Sequence, residues 1–118
     1  MAMIILIWIV AIEHLGIMLL EMFGSPQQQA QAFDMPLEYV KQPTARVALA
    51  NQGIYNGMLG VLLIVSFFFF HGAVLVTVLR LLLGLIVIVA LYGGLTATKK
   101  IWLVQLLPAA IAWLCTLI

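Results

Sequence analysis

The chain has 118 residues, 66% hydrophobic and 8% charged, where soluble domains carry roughly half and a quarter. A net charge of +1 and a mean hydropathy of +1.26 exclude a disordered chain, a nucleic-acid binder with a basic field and a strongly acidic partner. The one cysteine, Cys115, excludes a disulfide scaffold, and the expected partner is the lipid bilayer.

Four segments approach the roughly 20 apolar residues that a spanning helix needs: Met3 to Phe23, Val47 to Phe70, Ala73 to Gly93 and Ile101 to Ile118. The first has no Lys or Arg ahead of its apolar stretch and carries Glu13, His14 and Glu21, so it reads as a retained helix and not a cleaved signal. Gly24 to Arg46 follows, the one long polar stretch, with Pro26, Pro36, Pro43, three consecutive glutamines and the charges of Asp34, Glu38, Lys41 and Arg46. Ser25 before Pro26 reads as an N-cap and first helical position. Phe33, Leu37, Tyr39 and Val40 supply apolar surface for one or two short interfacial helices.

The second span opens with Asn51-Gln52-Gly53-Ile54-Tyr55-Asn56-Gly57. Asn51 with Tyr55, and Gln52 with Asn56, are neighbours at i, i+4. Gly53, Gly57 and Gly60 form a ridge of small residues that lets another backbone approach closely, and a homo-oligomer built on that ridge is the expectation. Only His71 and Gly72 separate the second and third spans, a hairpin in which glycine takes the left-handed conformation. Pro108 removes a backbone donor from the fourth span and predicts a disturbance near Val104 to Leu107. The expected fold is all-α: a single four-transmembrane-helix bundle, residues 1–118, with a polar cytoplasmic loop between helices one and two.

The loops after the first and third spans share one side and hold Lys41, Arg46, Lys99 and Lys100, while the other side holds no Lys or Arg. The positive-inside rule then places both termini outside.

Ionisable residues inside spans are expensive, about 2.5 to 3.5 kcal/mol at mid-bilayer, and need partners or a function. His14 and Glu21 lie within roughly 20° of one line on the first helix, two turns apart, and Glu13 lies on the flank. Arg80 falls within roughly 5 Å of the level of Glu13 when both are counted at 1.5 Å per residue, which predicts a Glu13–Arg80 ion pair. Glu21, His14, Asn51, Gln52, Tyr55, Asn56 and Gln105 then remain as polar groups at similar depth. They suit either a pocket that binds substrate or relays protons, with Glu13 as a further candidate, or a structural hydrogen-bond network. No metal or cofactor is expected: a single intramembrane histidine, without a His-x-x-x-His or Glu-x-x-His pattern, makes a poor ligand set.

Glu13-His14-Leu15 through Glu21-Met22-Phe23, the Asn51 to Gly57 stretch, and Tyr92-Gly93-Gly94-Leu95-Thr96 followed by Gln105 and Pro108 resemble the Domain of Unknown Function 1304 family. That resemblance runs over nearly the whole chain. It implies a small integral membrane protein with four helices, in a bacterial plasma membrane, and brings no activity or catalytic residue. The function expected from the residues is a homo-oligomeric transporter of a small polar or cationic solute, using Glu21, His14 or Glu13. The alternatives are a membrane enzyme or a lipid or quinone binder, with Tyr55 and His14 as acid and base, and a structural subunit.

Overall fold

The computed structural model describes residues 1–118, which form six α-helices and one π-helical stretch: α1 Ala2–Phe23, α2 Pro26–Phe33, α3 Leu37–Val40, α4 Pro43–Phe69, α5 Gly72–Thr96, the π segment Trp102–Leu106, and α6 Leu107–Cys115. Helices α1, α4 and α5, of 22, 27 and 25 residues, are long and apolar enough to cross a membrane. Their outward faces are apolar, with Ile5, Ile12, Leu19, Leu81, Ile88 and Leu95 exposed.

The closest pair is α1 against α4, and the glycine ridge explains it. Gly53, Gly57 and Gly60 are buried. A Cβ on them would run into the Met22 and Glu21 side chains, into Met18, and into the Ala11 carbonyl oxygen, respectively. The ridge expected to receive a second copy of the chain is therefore occupied by α1 of the same chain. At the far end, Trp8 stacks on Phe67 with ring centroids 6.1 Å apart and planes 13° from parallel. The hairpin between α4 and α5 turns through Gly72 at φ +58, the left-handed conformation that glycine reaches without steric cost.

The dry core occupies the hairpin half of the bundle, where Ile7, Val10 and Ala11 meet Leu63, Leu79, Leu83, Ile86, Ala109 and Ala112. The opposite half is capped by α2 and α3. Ser25 and Gln28 form a capping box, with Ser25 N donating to Gln28 Oε1 at 2.9 Å and Gln28 N to Ser25 Oγ at 3.2 Å. These exchanges satisfy donors that a helix start leaves free. Gln29, wholly buried, donates from Nε2 to the carbonyls of Leu20 and Glu21, both at 2.9 Å, and so closes the C-terminal end of α1.

The fourth span departs from expectation. The apolar helical stretch Trp102–Cys115 has 14 residues, short of the roughly 20 needed to cross alone. Near Pro108 the hydrogen bonding shifts register, and Leu107 N–H donates to the Trp102 carbonyl five residues back. Proline has no N–H to offer Val104, and a π turn absorbs that loss. The Trp102 indole lies where a Cβ on Gly94 would be and donates to the Leu91 carbonyl at 3.1 Å, so the start of this helix is keyed into α5. Its far end stops at Thr116, which takes hydrogen bonds from Arg80. Arg80 is eight residues into α5, about 12 Å from its start. Four helices pack together, and three of them have spanning length.

Candidate functional site

Between α4 and α5, in the half away from the core, lies a cavity of about 730 Å³, within the roughly 300 to 1,000 Å³ of small-molecule sites. The α4 residues Asn51, Gln52, Tyr55 and Asn56 line it, together with Glu21 of α1 and Gln105 of the π segment. Six of the eight site residues expected from the sequence are thus brought together. Phe33 and Met35, from and just after α2, also line it, and Met58, Leu62, Leu85 and Val89 supply apolar walls further along α4 and α5.

Glu21 is 2% exposed. Its Oε2 accepts a hydrogen bond from Asn56 Nδ2 at 2.8 Å, while Oε1 takes none from the protein. Asn51 donates back to the Val47 carbonyl at 3.2 Å. Gln52, Tyr55 and Gln105 also line the cavity, with Gln52 and Tyr55 exposed. The single side-chain to side-chain bond between Glu21 and Asn56 leaves the cluster an open set of donors and acceptors, not a closed network.

The other two residues lie elsewhere. His14 is 1% exposed and faces α4 beside Gly60, with Nδ1 donating to the Val10 carbonyl at 2.9 Å. It shares the α4-facing line with Glu21 as expected, but not the cavity, so Tyr55 and His14 do not form an acid–base pair there. Glu13 lies 4.0 Å from His14 Nδ1, and its Oε1 is sealed from solvent with no hydrogen-bond partner. The expected Glu13–Arg80 ion pair is not formed. Arg80 Nε donates to Thr116 Oγ1 at 3.3 Å and Nη2 to the Thr116 carbonyl oxygen. The reason is that α6 ends at the level of Arg80, where its free carbonyls attract a cation.

The sequence reading missed the two clasps that hold the roof of the cavity. Arg46 donates to Gln29 Oε1 at 2.9 Å and to the Gly24 carbonyl at 3.2 Å. Lys100 Nζ donates to Asp34 Oδ1 and to the Gln31 carbonyl, both at 2.8 Å, and Thr98 Oγ1 donates to Asp34 Oδ2. Asp34 occupies a left-handed C-cap position at φ 52. The Lys100 ammonium and the Thr98 hydroxyl hold its carboxyl below the ordinary value of 3.8. The charge spacing alone gave no signal of a clasp between residues more than 60 apart.

Gln105, Phe33, Thr98 and Ile101 also border a second, smaller cavity of about 280 Å³ on the α1 side, which reaches Ile17 and Leu20. The π segment therefore stands as a partition between two spaces, with Gln105 on the wall of both.

A family model described as "Protein of unknown function (DUF1304)" matches residues 8–117. The chain is 43% identical over 103 residues to the "Uncharacterized protein YpaA" of Lactococcus lactis subsp. lactis (strain IL1403), covering 86% of this chain and 85% of that one. No solved structure matches. The family matched is the one that the Glu13-His14-Leu15 and Asn51 to Gly57 stretches resemble.

Proposed function

The chain belongs to the DUF1304 family, and we propose that it is an integral membrane protein that binds a small cationic or hydrogen-bond-donating molecule in the cavity between α4 and α5. Helices α1, α4 and α5 cross the bilayer. The roof formed by α2 and α3, with Lys41, Arg46, Lys99 and Lys100 at its level, faces the cytoplasm, and the N-terminus and the His71 hairpin face outward.

The observation that carries the proposal is Glu21: a carboxylate buried at the edge of a largely apolar cavity, one oxygen fixed by Asn56 and the other free of protein donors. No Lys, Arg or His lines that cavity, since Lys100 is committed to Asp34 and His14 to Val10. A site with one acidic group and several neutral hydrogen-bonding groups selects a donor or a cation over an anion. Carriage of the molecule across the membrane is the finer form of this proposal, with Glu21 as the one carboxylate in contact with the cargo.

The test uses the full chain in nanodiscs of zwitterionic lipid, with butylammonium compared against uncharged butanol. Butylammonium raises the thermal midpoint, butanol does not, and Glu21→Gln removes the response. Binding weakens by about tenfold or more, because hydrogen bonds to a charged group contribute about 1.5 to 3 kcal/mol and 1.4 kcal/mol is tenfold. An equal response from Glu21→Gln rules the proposal out. Counterflow of butylammonium in proteoliposomes, abolished by the same substitution, tests carriage.

A further inference from the structure

The cavity has two chemically different ends. The polar end is Glu21 with Asn51, Gln52 and Asn56, and the apolar end is Met58, Leu62, Leu85 and Val89. From Gln52 to Leu62 the wall runs about 15 Å along α4 at 1.5 Å per residue. Of the four apolar residues, Leu62 and Met58 are 45% and 46% exposed, and Leu85 and Val89 are 47% and 54% exposed. Side chains that line a cavity and are also half open to the outside mark its mouth, and this mouth lies on the flank of the bundle between two membrane-length helices. Asn51, Gln52 and Tyr55 at the polar end are exposed as well, so the groove opens outward there too. Phe33 and Met35 line its roof side, and the clasps of Arg46 on Gln29 and Lys100 on Asp34 hold that segment to the start of α4 and to the residues just after α5.

We propose that the ligand enters sideways from the hydrocarbon layer between α4 and α5, and that it is a single-chain cationic amphiphile whose amine meets Glu21 and whose chain lies along Met58, Leu62, Leu85 and Val89. The proposal rests on the reading of Glu21 as the polar anchor. Charge complementarity identifies the occupant. The groove leads without a break from half-exposed aliphatic side chains to a lone carboxylate, so an alkyl chain without a cationic head leaves that carboxylate unanswered in an apolar setting, and an anionic head is repelled by it. The volume suits one chain with a compact head.

The experiment uses the full chain in zwitterionic nanodiscs and dodecylamine carrying a photoactivatable diazirine at mid-chain, with adducts located by mass spectrometry. Adducts concentrate on the α4 and α5 peptides that hold Met58, Leu62, Leu85 and Val89, several-fold above the outward α1 residues Ile5, Ile12 and Leu19. Val89→Trp, which fills the mouth at an exposed position, lowers them several-fold, and so does Met58→Trp, made in case the first variant is poorly folded. Adducts spread evenly over all outward-facing helices, or indifferent to both tryptophans, overturn the proposal. So do cross-links joining α4 or α5 to a second copy of the chain in place of the probe, which assign the mouth to an oligomer interface. If butylammonium still stabilises the protein through Glu21 while the dodecylamine pattern is even, lateral entry fails and the polar site stands. If neither probe depends on Glu21, both readings fail together.

Discussion

Glu13 and Glu21 are the same residue type on one helix, and their surroundings give them opposite consequences. Glu21 has an amide donor from α4 and an open oxygen, so it is equipped to meet a ligand. Glu13 has a sealed oxygen without a donor, which costs the folded state about 1 to 3 kcal/mol for an unsatisfied buried group. Glu13→Leu is therefore expected to raise the thermal midpoint. Arg80→Leu is expected to lower it, by about 1.5 to 3 kcal/mol of lost charge-assisted bonds to Thr116. A double-mutant cycle between the two is additive within about 0.5 kcal/mol, as for residues that share no partner. Asp34 is the residue whose titration reads out the roof. Its folded-state carboxyl titrates below the ordinary 3.8, so its contribution is present above that value and is lost as pH falls through the depressed one. At neutral pH, Asp34→Asn exposes residues 26–40 to protease faster than the unmodified chain. The difference vanishes in acid, once Asp34 of the unmodified chain is itself protonated.

Each element holds its place through one or two identifiable contacts, and these differ in how far the sequence foretells them. The three long helices, the N-cap at Ser25 and the left-handed Gly72 follow from local chemistry and are legible in the chain. So are the polar ridges at Asn51 to Asn56, because i, i+4 spacing fixes a helix face whatever the neighbours. The length of the last helix was not legible. Apolar composition runs on to Ile118, while the helix ends at Cys115; its π turn was legible as the disturbance expected from Pro108, but the Trp102 indole lying against Gly94, which keys its start into α5, was not. That is a contact between two elements, and composition carries no record of it. The Glu13–Arg80 expectation failed for the same reason, since equal depth does not fix which neighbour sits beside a side chain. The glycine ridge was legible as a close-packing face, but its partner was not. Gly57→Leu places a branched side chain against Met18 and is expected to destabilise the fold by about 1 to 3 kcal/mol or more, the range for overpacking. Gln29→Ala removes both carbonyl bonds at the end of α1 and leaves Arg46 without its amide acceptor. A loss of about 1 to 3 kcal/mol follows, with faster hydrogen exchange confined to the last turn of α1 and to α2.

At the scale of the whole molecule, the chain divides into a dry half that holds the helices together and a hollow half that faces the roof. The core residues from Ile7 to Ala112 secure the hairpin end. There α4 and α5 are tied by Gly72, and toward the roof the cavity lies between them. The placement of Lys41, Arg46, Lys99 and Lys100 at the roof end predicts orientation. With Cys115 replaced by serine, a cysteine at Ala2 reacts with an impermeant thiol reagent added outside intact cells, and one at Gln27 does not. The opposite pattern inverts the proposed orientation while leaving the cavity unchanged. In the proposed function this hollow half holds a molecule at Glu21. Native mass spectrometry of the protein extracted from its own membrane into a mild detergent tests this most directly, by comparing the unmodified chain with Glu21→Gln at matched folding. The expected result is a discrete small-molecule mass retained by the unmodified chain, released as a cation on activation and missing from the variant. Identical spectra from the two proteins, both bare or both carrying the same adduct, would contradict it.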